Sequence, residues 1–271
     1  MARIYSVLVV FALVLLVSNI ILGYYIGDWN LLVQQRVEIK KQTDQLKKAV
    51  NVCKYELRAV RQAEMVRVES DDDRPLNEVQ KQLAARQRAA KKALQEAESR
   101  FAQKSREDLL LAKEFIVVRD LQTIHFLLGV LASLVTVLVN SVSVTYFIGT
   151  TRWCREVVEE YGLDVSLFER SRDLKRITYP CALGGVFVML GIICAGAAAD
   201  PGANGGTSAD WVVPHFMAAI LGTAAIGWAF WMQVGTVGKN FVVIQEILEQ
   251  VNAIRAEQNL DVATGPQEVS G

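Results

Sequence analysis

Histidine, the side chain most often recruited as a general base or metal ligand near neutral pH, occurs only twice in this 271-residue chain, at His125 and His215. The four cysteines, Cys53, Cys154, Cys181 and Cys194, are too far apart in sequence for a CxxC zinc or thioredoxin-like motif, and no CxxCH offers covalent haem attachment. A Gly-rich phosphate loop, a GxSxG nucleophile elbow and an HExxH zinc helix are missing as well. Basic and acidic residues balance at 29 each, so no excess positive charge is available for nucleic acid. Asn-x-Ser/Thr sequons are also lacking, which favours a bacterial source. These gaps point away from an enzyme, and no cofactor or small-molecule substrate is expected.

The most informative absence is that of charge from four long segments. Residues 4–27, 121–151, 177–199 and 211–236 contain no Asp, Glu, Lys or Arg, in a chain that is 52% hydrophobic. About 20 apolar residues suffice to cross a bilayer as a helix. The expectation is an all-α membrane protein with four transmembrane helices, at 1–27, 121–151, 177–199 and 211–236. Tyr24, Tyr25 and Trp29 form an aromatic belt at the end of the first span, and Trp228 and Trp231 mark one end of the fourth. The first span reads as an uncleaved anchor, because its apolar run exceeds a signal-peptide core and no small-residue cleavage pattern follows.

Within the spans, Ser133, Thr136, Asn140 and Ser143 fall on one side of the second helix, where they can hydrogen-bond to a neighbour. Gly191 with Ala195, and Ala218 with Gly222, are small-xxx-small pairs that permit close helix contact in the third and fourth. Pro180 and Gly184-Gly185 could bend the third.

The short connection 152–176 carries six Lys and Arg, whereas 200–210 carries none. The positive-inside rule then places the connection and both termini in the cytoplasm, and 28–120 on the periplasmic side of a bacterial inner membrane. The connector is expected to lie along the membrane surface through Trp153, Val157, Val158 and Tyr161, with Gly162 stopping one helix and Asp164 capping a second, small one. The segment 200–210 reads as a flexible polar loop. In 237–271, Val237, Phe241, Ile244, Leu248 and Val251 form one stripe of an amphipathic helix, followed by a frayed tail.

The charged residues crowd into 28–120. From Ile39 the less polar positions run Thr43, Leu46, Val50, Cys53, Leu57 and Val60, in alternating steps of four and three that define a heptad seam. The acidic stretch that follows, with a tip near 69–75, ends in Pro75 at the first turn of a second helix. There Leu83, Gln87, Ala90, Leu94, Ala97 and Phe101 repeat the spacing. Two such arms joined by a short turn predict an extramembrane antiparallel coiled-coil hairpin, with Val60 by Leu83, Cys53 by Ala90, Val50 by Leu94 and Leu46 by Ala97. A solvated linker would not hold apolar residues on one face for three heptads, and a parallel coiled coil between copies would not need the return arm. Cys53 sits alone on this seam, as an inert small hydrophobe or as a disulfide between two copies.

Three functions fit this layout. The leading one is a non-enzymatic integral membrane protein whose outer hairpin is a structural, docking or assembly arm, in a homo-oligomer or a larger membrane complex. The second is a sensor: the order span, outer helical hairpin, span and cytoplasmic helix over the first 170 or so residues resembles that of bacterial transmembrane receptors. That likeness implies paired hairpins forming a four-helix sensing bundle, although the two further spans and the lack of an output domain depart from it. The third is a redox subunit in which His125 and His215, at matching depth near the outer face, ligate a haem iron between helices, or a metal with Asp120 or Asp210 assisting. The plainer role for both imidazoles is that of polar residues at helix ends.

Overall fold

The computed structural model describes residues 2–69 and 76–258, nearly all of them helical. The elements are α1 (Ala2–Ile26), α2 (Trp29–Glu69), α3 (Leu76–Tyr161), α4 (Val165–Ala199), α5 (Pro201–Asn204), a 3-10 helix (Gly205–Trp211) and α6 (Val212–Glu257). Four helices are long and apolar enough to cross a membrane. The turn expected near 69–75, with Pro75 in it, falls almost wholly outside the described residues, as does the tail from 259 on.

Where the helices break, local chemistry accounts for the break. Gly27 at φ 68° and Gly162 at φ 62° adopt a left-handed conformation that only glycine takes without strain. Each is followed by an aspartate that caps the next helix: Asp28 Oδ1 accepts from the Leu31 amide at 3.0 Å, and Asp164 Oδ1 from the Ser166 amide at 2.9 Å. That bond, joined by the Ser166 hydroxyl, holds the Asp164 carboxyl below the usual range. Two expectations change here. The helix capped by Asp164 is not small, because nothing stops it before Ala199 and α4 continues past Pro180. The polar segment 200–210 is not an open loop: Asp200 Oδ1 accepts from the Gly202 amide at 2.8 Å, Pro201 takes the first helical position, and α5 and the 3-10 helix follow.

The chain divides into two compact units, Asp28–Leu121 and Met1–Gly27 with Gln122–Gly271. In the second, one core draws on α1, α3, α4 and α6, through Ala12, Leu16, Val139, Phe147, Met189, Ile226 and Phe230 among others. Its buried positions repeat. Tyr5, Val9, Ala12 and Leu16 on α1 have the same spacing as Thr178, Ala182, Gly185 and Met189 on α4. Likewise Ala132, Thr136, Val139, Asn140, Ser143 and Phe147 on α3 match Gly222, Ile226, Ala229, Phe230, Gln233 and Val237 on α6. The pairs α1–α3 and α4–α6 thus present one interior register twice.

A second core closes the other end of this unit, where Cys154, Val158 and Leu167 pack with Val243, Ile244, Ile247 and Val251. The connector therefore does not lie flat as a surface helix. Nothing between Thr151 and Tyr161 breaks α3, so Trp153, Val157 and Tyr161 join this core against the unbroken continuation of α6. Arg170 reinforces it with a bidentate pair to Glu246, which holds that carboxyl below its ordinary range.

Candidate functional site

Among the apolar core residues of the four-helix unit lie buried polar side chains that come from all four long helices. The Tyr5 hydroxyl on α1 donates to Gln233 Oε1 on α6 at 2.8 Å, Gln233 Nε2 donates to Asn140 Oδ1 on α3 at 3.0 Å, and Asn140 Nδ2 donates to the Thr136 carbonyl at 2.8 Å. Beside this chain, Thr178 Oγ1 on α4 lies 2.7 Å from Thr236 Oγ1, whose proton goes to the Gln233 carbonyl at 3.0 Å. Further along, Ser171 Oγ donates to Asn240 Oδ1 at 2.8 Å, and Asn240 Nδ2 donates to Thr150 Oγ1 at 3.0 Å and to the Tyr146 hydroxyl at 3.2 Å. Asn140, Gln233, Asn240, Thr178 and Ser171 are all essentially inaccessible.

Burying so many uncharged amides and hydroxyls is tolerable because they satisfy one another, and in lipid such bonds replace the hydrophobic drive that water would supply between helices. Close approach is built in at the same level, since a Cβ on Gly185 would stand 3.0 Å from Asn140 Oδ1. All four residues singled out on the second span are buried; Thr136 Oγ1 and Ser143 Oγ have no partner. Gln233, which bonds Asn140, and the other network members Tyr5, Thr178, Thr236 and Asn240 were not singled out from sequence.

The two histidines occupy equivalent positions in the repeated register. His125 on α3 bonds to the Asn19 backbone and packs on Gly23, where a Cβ would come within 2.9 Å of its Cε1. His215 on α6 bonds to the Ile192 backbone and packs on Gly196, where the same distance is 3.0 Å. In each, the residue whose backbone carbonyl accepts from the ring lies one helical turn before the glycine. Nδ1 of both rings is buried without a partner. Among the described residues no group of three or more His, Cys, Asp or Glu could hold a metal ion. What the geometry gives each imidazole is the role of a clamp joining adjacent helices.

Of the small residues expected to pack helices, Gly222 is buried, and a Cβ there would meet Ile192 Cδ1 at 2.6 Å. Ala195 and Ala218 are half-buried. Gly191 is exposed with nothing within 4 Å of a Cβ, because the face that α4 turns inward runs through Gly185, Met189, Ile192 and Gly196. Cys194 is likewise exposed on the outer face. Cys154 is fully buried in the second core, and that burial pushes its thiol up.

In the unit Asp28–Leu121, the seam positions are the shielded ones on each helix. Val50 and Leu57 are buried, and Ile39, Leu46, Cys53 and Val60 half-buried, between exposed neighbours on α2. Leu83, Gln87, Ala90, Leu94, Ala97 and Phe101 on α3 are half-buried. The rings of Trp29 and Phe115 lie 5.0 Å apart, and Arg36 pairs with Asp108 at 3.9 Å while its guanidinium sits over Phe115. Farther along, Lys54 pairs with Glu98 at 3.1 Å, and Gln87 donates to Glu64 at 3.3 Å. Compared with protein-family models, with curated proteins and with solved structures, the chain matches none.

Proposed function

We propose that this is a non-enzymatic membrane protein of a bacterial inner membrane, both termini cytoplasmic, whose segment Asp28–Leu121 is an antiparallel coiled-coil hairpin on the periplasmic side that docks a second copy or another envelope subunit. Support for the antiparallel arms comes from the contacts at their base: moving one heptad up α2, from Trp29 to Arg36, corresponds to moving one heptad back along α3, from Phe115 to Asp108. The later pairs Lys54–Glu98 and Glu64–Gln87 are out of step with that register. Long side chains on antiparallel helices lean toward the N-terminus of their own helix, which bridges part of this offset.

The observation that carries docking is a second set of apolar side chains on the arms, outside the seam. Val52, Tyr55 and Val66 on α2 are 56%, 75% and 64% exposed. On α3, Leu109 and Ile116, and Leu110 and Val117, are exposed pairs one heptad apart. A rod built only as a solvated spacer has no use for such residues in water, and a partner surface would cover them. A photo-crosslinking residue at Tyr55, activated in native membranes, should give one discrete adduct, either a dimer of this chain or a complex with one other subunit, and Val52→Asp should weaken it. No adduct, together with a monomer in mild detergent, would contradict docking. Protease added to cells whose outer membrane has been opened, with the inner membrane sealed, should cleave the arms if they are periplasmic.

A further inference from the structure

A cavity of about 690 Å³ opens between α3 and α4, and it is ringed by Arg152, Arg155, Arg172, Lys175 and Arg176, with Tyr179 beside them. No carboxylate lines it. Glu156 and Glu169 reach Arg152 at 2.8 Å and Arg172 at 3.4 Å from outside the lining, while Arg155 and Arg176 have no ion-pair partner among the described residues. The Tyr179 hydroxyl is buried and has no acceptor, and Lys175 Nζ rests over its ring at 5.1 Å.

Charges that only set topology need to lie on the right side of the membrane; they need not converge from two helices on one concavity. Five cations around a shared space repel one another unless an anion occupies it. The level of the cavity narrows the choice of anion. Ile148, Thr151 and Tyr179 belong to the uncharged runs, the cations begin directly beyond Thr151 and stop directly before Ile177, and Ile148 and Phe168 supply apolar wall. That is the boundary at which lipid phosphates lie, with acyl chains on one side and water on the other.

We infer that this cavity binds the phosphate of an anionic phospholipid in the adjacent leaflet. The fork-shaped guanidinium groups of Arg155 and Arg176 take the phosphate oxygens, the Tyr179 hydroxyl donates to one of them, and the lipid tails run along Ile148.

The test is native mass spectrometry of the full chain released from micelles holding equal phosphatidylglycerol and phosphatidylcholine, with inorganic phosphate as a separate competitor. The wild type should retain phosphatidylglycerol about tenfold over phosphatidylcholine, given that each nearby basic side chain contributes roughly a fivefold preference for an anionic lipid. Arg155→Gln/Arg176→Gln should lose that preference, and the equally charge-reducing pair Arg58→Gln/Arg61→Gln, both exposed on α2, should keep it. Tyr179→Phe, which removes only a hydroxyl, should lower retention roughly threefold, as the loss of one hydrogen bond to a charged group implies, and it serves if the double variant fails to fold. Equal retention of the two lipids by the wild type, equal loss in both double variants, or displacement by inorganic phosphate at matching concentration would overturn the assignment.

Discussion

On the arms of the unit Asp28–Leu121 the shielded positions are mostly apolar, such as Val50 and Leu57, and the charged residues face out. In the spanning unit the outer surface is apolar instead: Val7, Leu138, Phe187 and Trp231 point outward, at exposures from 52% to 79%, while Asn140, Gln233 and Asn240 are buried among the apolar core residues. The contrast identifies the solvent that each unit is made for. In water, apolar contact is the driving force and polar groups are content outside. Lipid tails compete equally well for apolar surface, so helices there are joined by hydrogen bonds and by close approach at small residues.

The comparison can be broken most severely from the aqueous side. Leu57→Asp places a carboxylate on a buried position and should destabilise the arms by about 3 kcal/mol or more, the cost of an unpaired buried charge. Limited proteolysis of the full chain should then clip α2 and α3 within Asp28–Leu121 and leave the four spans intact. On the lipid side the sensitive variable is space. Gly196→Val should cost roughly 1–3 kcal/mol by pushing His215 off its seat, whereas Gly191→Val should be neutral, because nothing lies near a Cβ there. Reversible unfolding in mixed micelles compares the two.

Removing polar partners sharpens the same contrast. Gln233→Leu strands the Tyr5 hydroxyl and Asn140 Oδ1, and should cost about 1–2 kcal/mol. The double variant Gln233→Leu/Asn140→Leu should cost less than the sum of its two singles, which a double-mutant cycle reads directly. The smallest effect is the pH dependence of the second core. Its bond to Arg170 holds the Glu246 carboxyl below the ordinary value, so the pair contributes stability above the unfolded carboxyl pKa and loses it as pH falls through the lower, folded value. Unfolding midpoints between about pH 7 and pH 3 should therefore drop on acidification, and Arg170→Met should flatten that slope.

How much of this was legible depended on whether the signal lay within one helix. Uncharged runs are local, so the spans could be read directly, and Ser133, Thr136, Asn140 and Ser143 share a face that helical spacing reveals. The rest of the polar network is scattered over α1, α4 and α6, and each residue alone looks like an ordinary polar one. The repeated register stayed hidden for another reason. Most equivalent positions keep burial but not identity, as with Tyr5 and Thr178, Leu16 and Met189, or Asn140 and Phe230. The histidines and the glycines beneath them, Gly23 and Gly196, are among the few that keep their identity, and those glycines matter because of what packs on them. The connector was misread because its amphipathic pattern fits a lipid surface as well as a protein one. Only the complementary stripe on α6, more than eighty residues away in the chain, decides between them.

The claim on which the functional reading rests is that α2 and α3 run side by side in opposite directions within a single chain. Replacing Trp29 and Phe115 with cysteine, in a chain whose four native cysteines are serine, and treating native membranes with a short bis-maleimide tests it directly. The account predicts a crosslink within one chain, seen as a monomer whose fragments stay joined after cleavage between the arms. Crosslinks only between chains, or none while both cysteines label freely, would contradict it.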